Sequence, residues 1–497
     1  MKILVLLLSV LLGVSLSEGV MVCYYGSWAV YRQGTGKFDV ENIDPYLCTH
    51  IVYGFAGLGS DNTIRALDPW NDLCDNYGKC AFDRFTGLKN INPQLKALLA
   101  VGGWNEGSAK YSAMAADPGA RQTFIASVLE MLEAHNFDGL DMDWEYPTDR
   151  GGAPEDKVNF ITLMSELSDA LHARGLLLTV AVAAGKTTID ASYDVPGLSA
   201  VVDHIHVMAY DLHGAWETYT HHHAILYAYP QDTGDNAFLN VDYAINYWLQ
   251  LGAPASKLVL GTATYGRCFR LDSSDSTGMY APASQPGSAG PYTRSPGFLG
   301  YNELCEHELT SAWTVVNDPQ MNEPYGYDLT FGNTWCGYDN PDSLITKAQY
   351  AQQKGLLGMM VWSIETDDFQ AECHAQPFVL IRTTREAFTG VPITTPVPAS
   401  TTTRDPNLTT ESTTTQAPTT VTFPTAGPGE HCSHPGNNPD PVDCSFFYQC
   451  VYTGSGYIET VTPCPPGSLY NPETFVCDYD FAVCALDPSY CPANCPL

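Results

Sequence analysis

Eight short segments rich in β-branched, aromatic and aliphatic residues recur at helix-sized intervals through the first three-quarters of the chain. They are MVCYYG (21–26), HIVYGFA (50–56), KALLAVGG (96–103), FDGLDMDWE (137–145), LLLTVAVAA (176–184), HIHVMAYD (204–211), LVLGTATYG (258–266) and LLGMMVWSI (356–364). Several intervening stretches carry apolar residues at helical spacing, among them RQTFIASVLEMLEAHN before the fourth segment and DKVNFITLMSELSDALHARG before the fifth. VDYAINYWLQLG precedes the seventh in the same way, and SLITKAQYAQQKG the eighth. Strands alternating with helices in this number predict an α/β fold, a (β/α)8 TIM barrel. A doubly wound open sheet is the competing architecture, but no Gly-rich phosphate loop follows the first strand. The interval between the seventh and eighth segments exceeds one helix. Its Gly/Pro/Ser-rich start at 272–297 predicts an inserted α+β subdomain over about 267–340.

Both ends of the chain read differently from this middle. Lys2 and the apolar run ILVLLLSVLLGV, followed by Ser15-Leu16-Ser17, fit a secretory signal peptide over 1–17. The run is short for a membrane anchor, so a secreted protein with no membrane partner is expected. From 391 to 430 the sequence turns to Thr and Pro, which predicts an extended, O-glycosylated linker between a catalytic unit at 18–390 and a small unit at 431–497. Asn407 lies in that linker as an N-glycosylation acceptor. The 16 cysteines suit an oxidising compartment, and they divide into eight between Cys23 and Cys373 and eight between Cys432 and Cys495. A formal charge of −32 excludes nucleic acid and anionic lipid as natural partners, while a neutral polysaccharide meets no such barrier.

The fourth segment carries the chemistry. Side chains two apart on a strand share a face, so Asp141, Asp143 and Glu145 point one way and Met142 and Trp144 the other. The apolar pair suits the helix side of a barrel, leaving three carboxylates in the lumen. Glu145 comes last, at the C-terminal mouth where barrel enzymes hold their active sites. Three crowded carboxylates cannot all ionise cheaply, so at least one keeps its proton and the outermost is placed as a general acid. Glycosidic cleavage is the natural use of such an acid, yet Asp143 and Glu145 sit on one strand and cannot flank a scissile bond. Either a second carboxylate comes from elsewhere or the substrate supplies its own nucleophile. A calcium site is the rival reading, disfavoured because these acids are interleaved with strand-forming apolar residues rather than Gly and Asn. A purely structural buried network is disfavoured too, since no basic residue lies among the acids.

DGLDMDWE resembles the DxxDxDxE signature of glycoside hydrolase family 18, the chitinases. GGWN (102–105), MAYDLHG (208–214), TYGR (264–267) and MMVWSIETDDF (359–369) resemble that family's motifs on the third, sixth, seventh and eighth strands. The resemblance implies Glu145 as proton donor, with Asp143 turning between Asp141 and the substrate's acetamido group. It implies that the N-acetyl oxygen of the substrate attacks the anomeric carbon, giving an oxazolinium intermediate and net retention. Tyr210 would hydrogen-bond the acetamido group and Asp211 would support the distorted sugar. Tyr265 and Arg267 would line the cleft, with Trp362 beneath the reacting sugar. Tyr25, Phe55, Gly102, Gly103, Trp104, Met208 and Trp216 complete the candidate cleft, although core packing is the commoner fate of such apolar and aromatic residues. Chitin and chito-oligosaccharides are the implied partners, bound by a monomer without metal or other cofactor.

The same resemblance implies Cys23–Cys48 and Cys305–Cys373 bridges, with Cys74/Cys80 and Cys268/Cys336 as additional pairs. His221, His222 and His223 depart from an ordinary loop. Adjacent residues point apart, so a metal site is disfavoured and a solvated or cleft-rim loop is expected. Six cysteines over 432–484, in a segment too small for a sufficient core, allow fifteen connectivities by spacing alone. CSFFYQC and CPPGSLYNPETFVCDY resemble the peritrophin-A chitin-binding module, which implies Cys432–Cys450, Cys444–Cys484 and Cys464–Cys477 and leaves Cys491 and Cys495. Tyr448, Tyr457, Tyr470, Phe475 and Tyr479 are its candidate sugar-stacking residues. Taken together, the sequence predicts a secreted endo-acting chitinase, against two alternatives: a non-catalytic chitin-binding lectin and an endoglycosidase of N-linked glycans.

Overall fold

The computed structural model describes residues 19–393, and beyond them the backbone of five short strands. The chain divides into two compact units, Met1–Pro398 and Ala399–Leu497. The signal peptide, Asn407 and every cysteine pairing from Cys432 onward lie outside the residues whose side chains are described. No helix among the described residues is long and apolar enough to cross a membrane.

The first unit is built on β1 (Val20–Gly26), β2 (His50–Leu58), β3 (Lys96–Gly102), β4 (Gly139–Asp143), β5 (Leu177–Ala183), β6 (His204–Met208), β7 (Leu258–Ala263) and β8 (Gly358–Trp362). Each strand pairs in parallel with the next, and β1 pairs with both β2 and β8, which closes the sheet into a barrel. Strand alternation sorts the side chains into two cores. Outside, Leu140, Met142 and Trp144 pack against Phe160, Leu163 and Leu167 of the helix Asp156–His172. Inside, Tyr24, Val52, Leu98, Ala100, Val259 and Met360 fill the lumen. Each fully buried large side chain of this kind contributes about 1.5–3 kcal/mol, so the register of every strand is strongly fixed. The helix before β4, Pro118–Ala134, starts where Asp117 accepts a bond from the Ala120 N–H and Pro118 takes the first helical position.

A second sheet follows β7. Its strands run in the order Ala283–Pro286, Tyr265–Leu271, Thr334–Gly337, Glu323–Asp328 and Thr314–Asp318, with Phe298–Gly300 pairing beside Tyr265–Leu271. The helix Tyr301–Glu308 completes this insertion. Cys268 and Cys336 face each other across two of its strands and are bridged. Cys23–Cys48, Cys74–Cys80 and Cys305–Cys373 are the other bridges, and no described cysteine is free. In the second unit the strands Gly436–Pro439, Phe446–Tyr452 and Tyr457–Pro463 form one antiparallel sheet, and Ser468–Asn471 pairs with Val476–Tyr479.

Three expectations need correction. β4 ends at Asp143, so Glu145 stands just beyond the strand rather than within it. Tyr25 does not face the cleft: it is fully buried on the helix side against Phe38, Tyr53 and Phe85. The three consecutive histidines are not solvated, because each is fully buried. His222 Nε2 meets the Tyr338 carbonyl at 2.9 Å, His223 Nε2 meets the Tyr265 carbonyl at 3.1 Å, and His221 Nε2 meets Asp232 at 2.9 Å. Backbone carbonyls of the insertion thus satisfy polar rings that would otherwise be costly to bury.

Candidate active site

Asp141 lies at the bottom of the lumen and is fully bonded. Tyr24 donates to Oδ2 at 2.7 Å, Thr179 donates to Oδ1 at 2.6 Å, and His206 Nδ1 lies 3.3 Å from Oδ1. One residue from each of β1, β5 and β6 therefore holds this carboxylate still. Asp143, one strand step higher, contrasts with it: its Oδ1 is buried with no hydrogen-bond partner. Burial, then the charges of Glu145 and Asp141, push the Asp143 carboxyl well above the ordinary carboxylate range. Glu145 sits at the mouth. Burial raises it to about 7, against the opposing effects of a hydrogen bond with Tyr146 and the nearby charge of Arg150. The three acids thus differ in kind. One is fixed, one is buried with a free oxygen, and one holds a proton near neutrality.

Two glycines let β3 approach this strand. Gly103 donates its N–H to the Asp143 carbonyl at 2.8 Å. Gly102 has φ +116°, and a Cβ there would lie 2.1 Å from the same carbonyl oxygen, so no larger residue fits.

A cleft of about 1020 Å³ opens above the acids, lined by Asp143 and Glu145 together with Phe55, Gly102, Gly103, Trp104, Met208, Tyr210, Asp211, Trp216, Arg267 and Trp362. Trp362 and Phe55 stack at 5.7 Å with an interplanar angle of 26°, and Trp28 closes a cluster with both, 6.3 Å from Phe55 and 6.0 Å from Trp362. Trp104 and Trp216 stand on the rim, 58% and 61% exposed, too open to be explained by packing. Tyr210 lines the cleft with its hydroxyl near Met360 Sδ at 3.7 Å. Asp211 is gripped by Arg267, Nε to Oδ1 at 2.7 Å and Nη2 to Oδ2 at 2.5 Å, while Tyr265 donates to Oδ1 at 2.6 Å. Burial alone would raise the Asp211 carboxyl, but the Arg267 guanidinium overrides it and holds the group well below the ordinary range. Tyr265 is itself buried and acts on the site through Asp211 rather than by lining the cleft.

Sequence reasoning missed Tyr24, Thr179, His206, Trp28 and Arg150. A signal for Tyr24 was present. Cys23 and Tyr25 share a strand face, and a bridge from Cys23 to the loop residue Cys48 must lie outside the lumen, so Tyr24 must point in. Arg150 sits on a loop and Trp28 in the short 3-10 helix Ser27–Tyr31, where no periodicity marks direction.

A barrel with a graded carboxylate series at its mouth and an aromatic-walled cleft above defines a carbohydrate-cleaving class of protein. The chain belongs to family 18 of the glycosyl hydrolases: the model described as "Glycosyl hydrolases family 18" matches residues 20–367. The model "Chitin binding Peritrophin-A domain" matches residues 432–484. "Probable chitinase 2" of Drosophila melanogaster is 45% identical over 72% of this chain and 74% of its own length. "Chitotriosidase-1" of Mus musculus is 37% identical over 93% of this chain and 96% of its own. Among solved structures, the Ostrinia furnacalis Group IV chitinase in complex with allosamidin is 45% identical, with a TM-score of 0.72, covering 75% of this chain and 99% of that one. Human YKL-39, described as a pseudo-chitinase with retained chitooligosaccharide binding, is 37% identical with a TM-score of 0.69, covering 75% and 100%.

Proposed function

We propose that this protein is a secreted, endo-acting chitinase that cleaves β-1,4-linked N-acetylglucosamine polymer with retention, using the substrate's own acetamido group as nucleophile. The observation that carries the reading is the state of the cleft carboxylates. Glu145 holds a proton near neutrality at the mouth, which suits protonation of the leaving oxygen. Every carboxylate that could attack from another wall is engaged. Asp211 is paired with Arg267, Glu106 with Lys110 and Tyr111, and Asp68 accepts from Tyr31. With no free opposing carboxylate, the two-carboxylate geometry of most glycosidases is unsupported and an internal nucleophile is the remaining route.

Asp143 fits the role of orienting that acetamido group, because its unpartnered oxygen is in want of an N–H donor. Tyr210 lies beside it on the cleft wall, and Asp211 with Arg267 forms a rigid polar ledge for the sugar. The aromatic cluster of Trp362, Phe55 and Trp28 suits the apolar face of a pyranose ring. Four disulfides in the first unit support an oxidising, extracellular setting. The peritrophin-type module supports tethering to solid chitin, with raised local substrate concentration as the gain.

Product analysis on chitin oligomers of defined length, with detection of the anomer released, tests the reading. Internal cleavage with β-anomer products is expected. α-Anomer products would overturn retention, and binding without products would leave a lectin.

A further inference from the structure

A second hollow, of about 240 Å³, opens on the barrel flank, and Tyr227, Asp242, Tyr243, Asn246, Tyr247 and Gln250 are among the residues that line it. It lies on the helix Val241–Gln250, whose other face, Val241, Ala244, Ile245 and Trp248, is buried in the core. An amphipathic helix ordinarily turns charged residues outward. This one turns out Tyr243, Tyr247, Asn246 and Gln250, with Asp242 as its charged residue, paired to Lys354. Tyr243 and Tyr247 are one turn apart, with ring centroids 5.6 Å apart and 19° between planes. Phe238 extends the row, 4.7 Å from Tyr243. Tyr227 is 52% exposed. Among the described residues, no hydrogen bond engages the hydroxyls of Tyr227 and Tyr243 or the amide of Gln250.

We propose that this hollow is a second carbohydrate site, which takes N-acetylglucosamine units of the polymer outside the catalytic cleft. The inference rests on the chitinase reading for the identity of the sugar. Aromatic faces with polar tips, ringed by amides, are the chemistry that binds a pyranose: apolar C–H faces stack on rings while hydroxyl and acetamido groups bond to the rim. The hollow and the cleft are lined by neighbouring stretches of the chain. Leu239 lines the cleft, and the nearby Ala237 and Asn240 line the hollow. Gly185 and Thr188 line the cleft, and Lys186 between them lies 4.9 Å over the Tyr247 ring. The neutral sugar also escapes the charge repulsion that a net −32 imposes on a second copy of this chain.

Hydrogen exchange on the full chain carrying Glu145→Gln, with and without a soluble N-acetylglucosamine hexamer, tests the site. Sugar-dependent protection is expected over 224–250 as well as in the cleft. Tyr227→Ala with Tyr243→Ala should abolish the flank protection, leave cleft protection intact and lower adsorption to crystalline chitin by about fivefold. In a chain that keeps Glu145, the same two substitutions should leave hydrolysis of the soluble hexamer unchanged. Protection confined to the cleft overturns the inference, as does flank protection that rises with protein concentration in the absence of sugar, which assigns the face to self-association. Failure of the unaltered chain to cleave the hexamer would strike the chitinase reading instead, and the flank protection would still report on sugar binding.

Discussion

The guanidinium carbon of Arg150 lies 3.5 Å from the centre of the Trp104 ring, and its Nη1 donates to the carbonyls of Trp104 at 2.7 Å and Glu145 at 3.2 Å. One side chain thus backs a rim tryptophan and places a positive charge beside the general acid. Arg150 lowers the Glu145 carboxyl, so its removal should raise that group further. Arg150→Gln is expected to move the alkaline limb of kcat/KM upward in pH and to raise KM several-fold through a loosened Trp104. A pH profile on a soluble oligomer reads both effects, and an unmoved limb would remove Arg150 from the electrostatics of the acid.

The pH dependence of the unaltered protein follows from Glu145 at about 7 against an ordinary value of 4.5. Activity needs the protonated acid, so kcat/KM should fall as pH rises through 7. For stability, a raised carboxyl costs nothing where both states hold the proton, below the ordinary value of 4.5, destabilises the fold progressively as pH rises from there to about 7, and keeps that full penalty above 7. Glu145→Gln should therefore abolish turnover, leave polymer binding intact and stabilise the protein above neutrality by about 3 kcal/mol. Denaturant unfolding at pH 5 and pH 9 checks the sign.

Adjacent tyrosines on β1 should behave oppositely. Tyr24 donates to Asp141, so Tyr24→Phe should lower kcat about tenfold, the worth of one hydrogen bond to a charged group. The Tyr25 hydroxyl is buried without a partner, so Tyr25→Phe should leave activity unchanged and stability equal or slightly higher. Equal losses in both variants would refute the register of β1.

Lys347 is buried with bonds to Asp339, Glu323 and the Ala224 carbonyl. Lys347→Met should destabilise by about 3–5 kcal/mol, because it strands two buried acids. Thermal unfolding measures this, and a change within 1 kcal/mol, roughly the scale of a surface pair, would show that the cluster relaxes.

Removal of residues 391–497 should lower activity on solid chitin several-fold and leave turnover of short soluble oligomers unchanged. Parallel assays on the two substrates distinguish tethering from a contribution to chemistry, which would depress both.

Much of the fold and the site is legible in the sequence because period-two alternation and strand spacing carry direct geometric meaning. Alternation puts Asp141 and Asp143 on one face, and Trp104, Arg267 and Trp362, each from a quoted motif, line the cleft. Where adjacency is the only guide, direction is lost. Tyr24 and Tyr25 look equivalent until the register of β1 is fixed by Cys23. His221, His222 and His223 escape sequence reasoning because two of their partners, the carbonyls of Tyr265 and Tyr338, are far along the chain and carry no side-chain signature. Arg150 escapes it for a related reason: it has positive φ in a loop, where neighbouring residues say nothing about direction.

The histidine contacts also give the insertion a different standing. His223 joins the loop that bears Asp211 to the first inserted strand, and Tyr265 on that strand bonds Asp211 directly. The insertion is therefore a buttress of the reacting centre rather than an ornament on the barrel. Its freedom to vary in length lies at the exposed outer strand Thr314–Asp318, and the inner strand Tyr265–Leu271 is as constrained as the barrel itself.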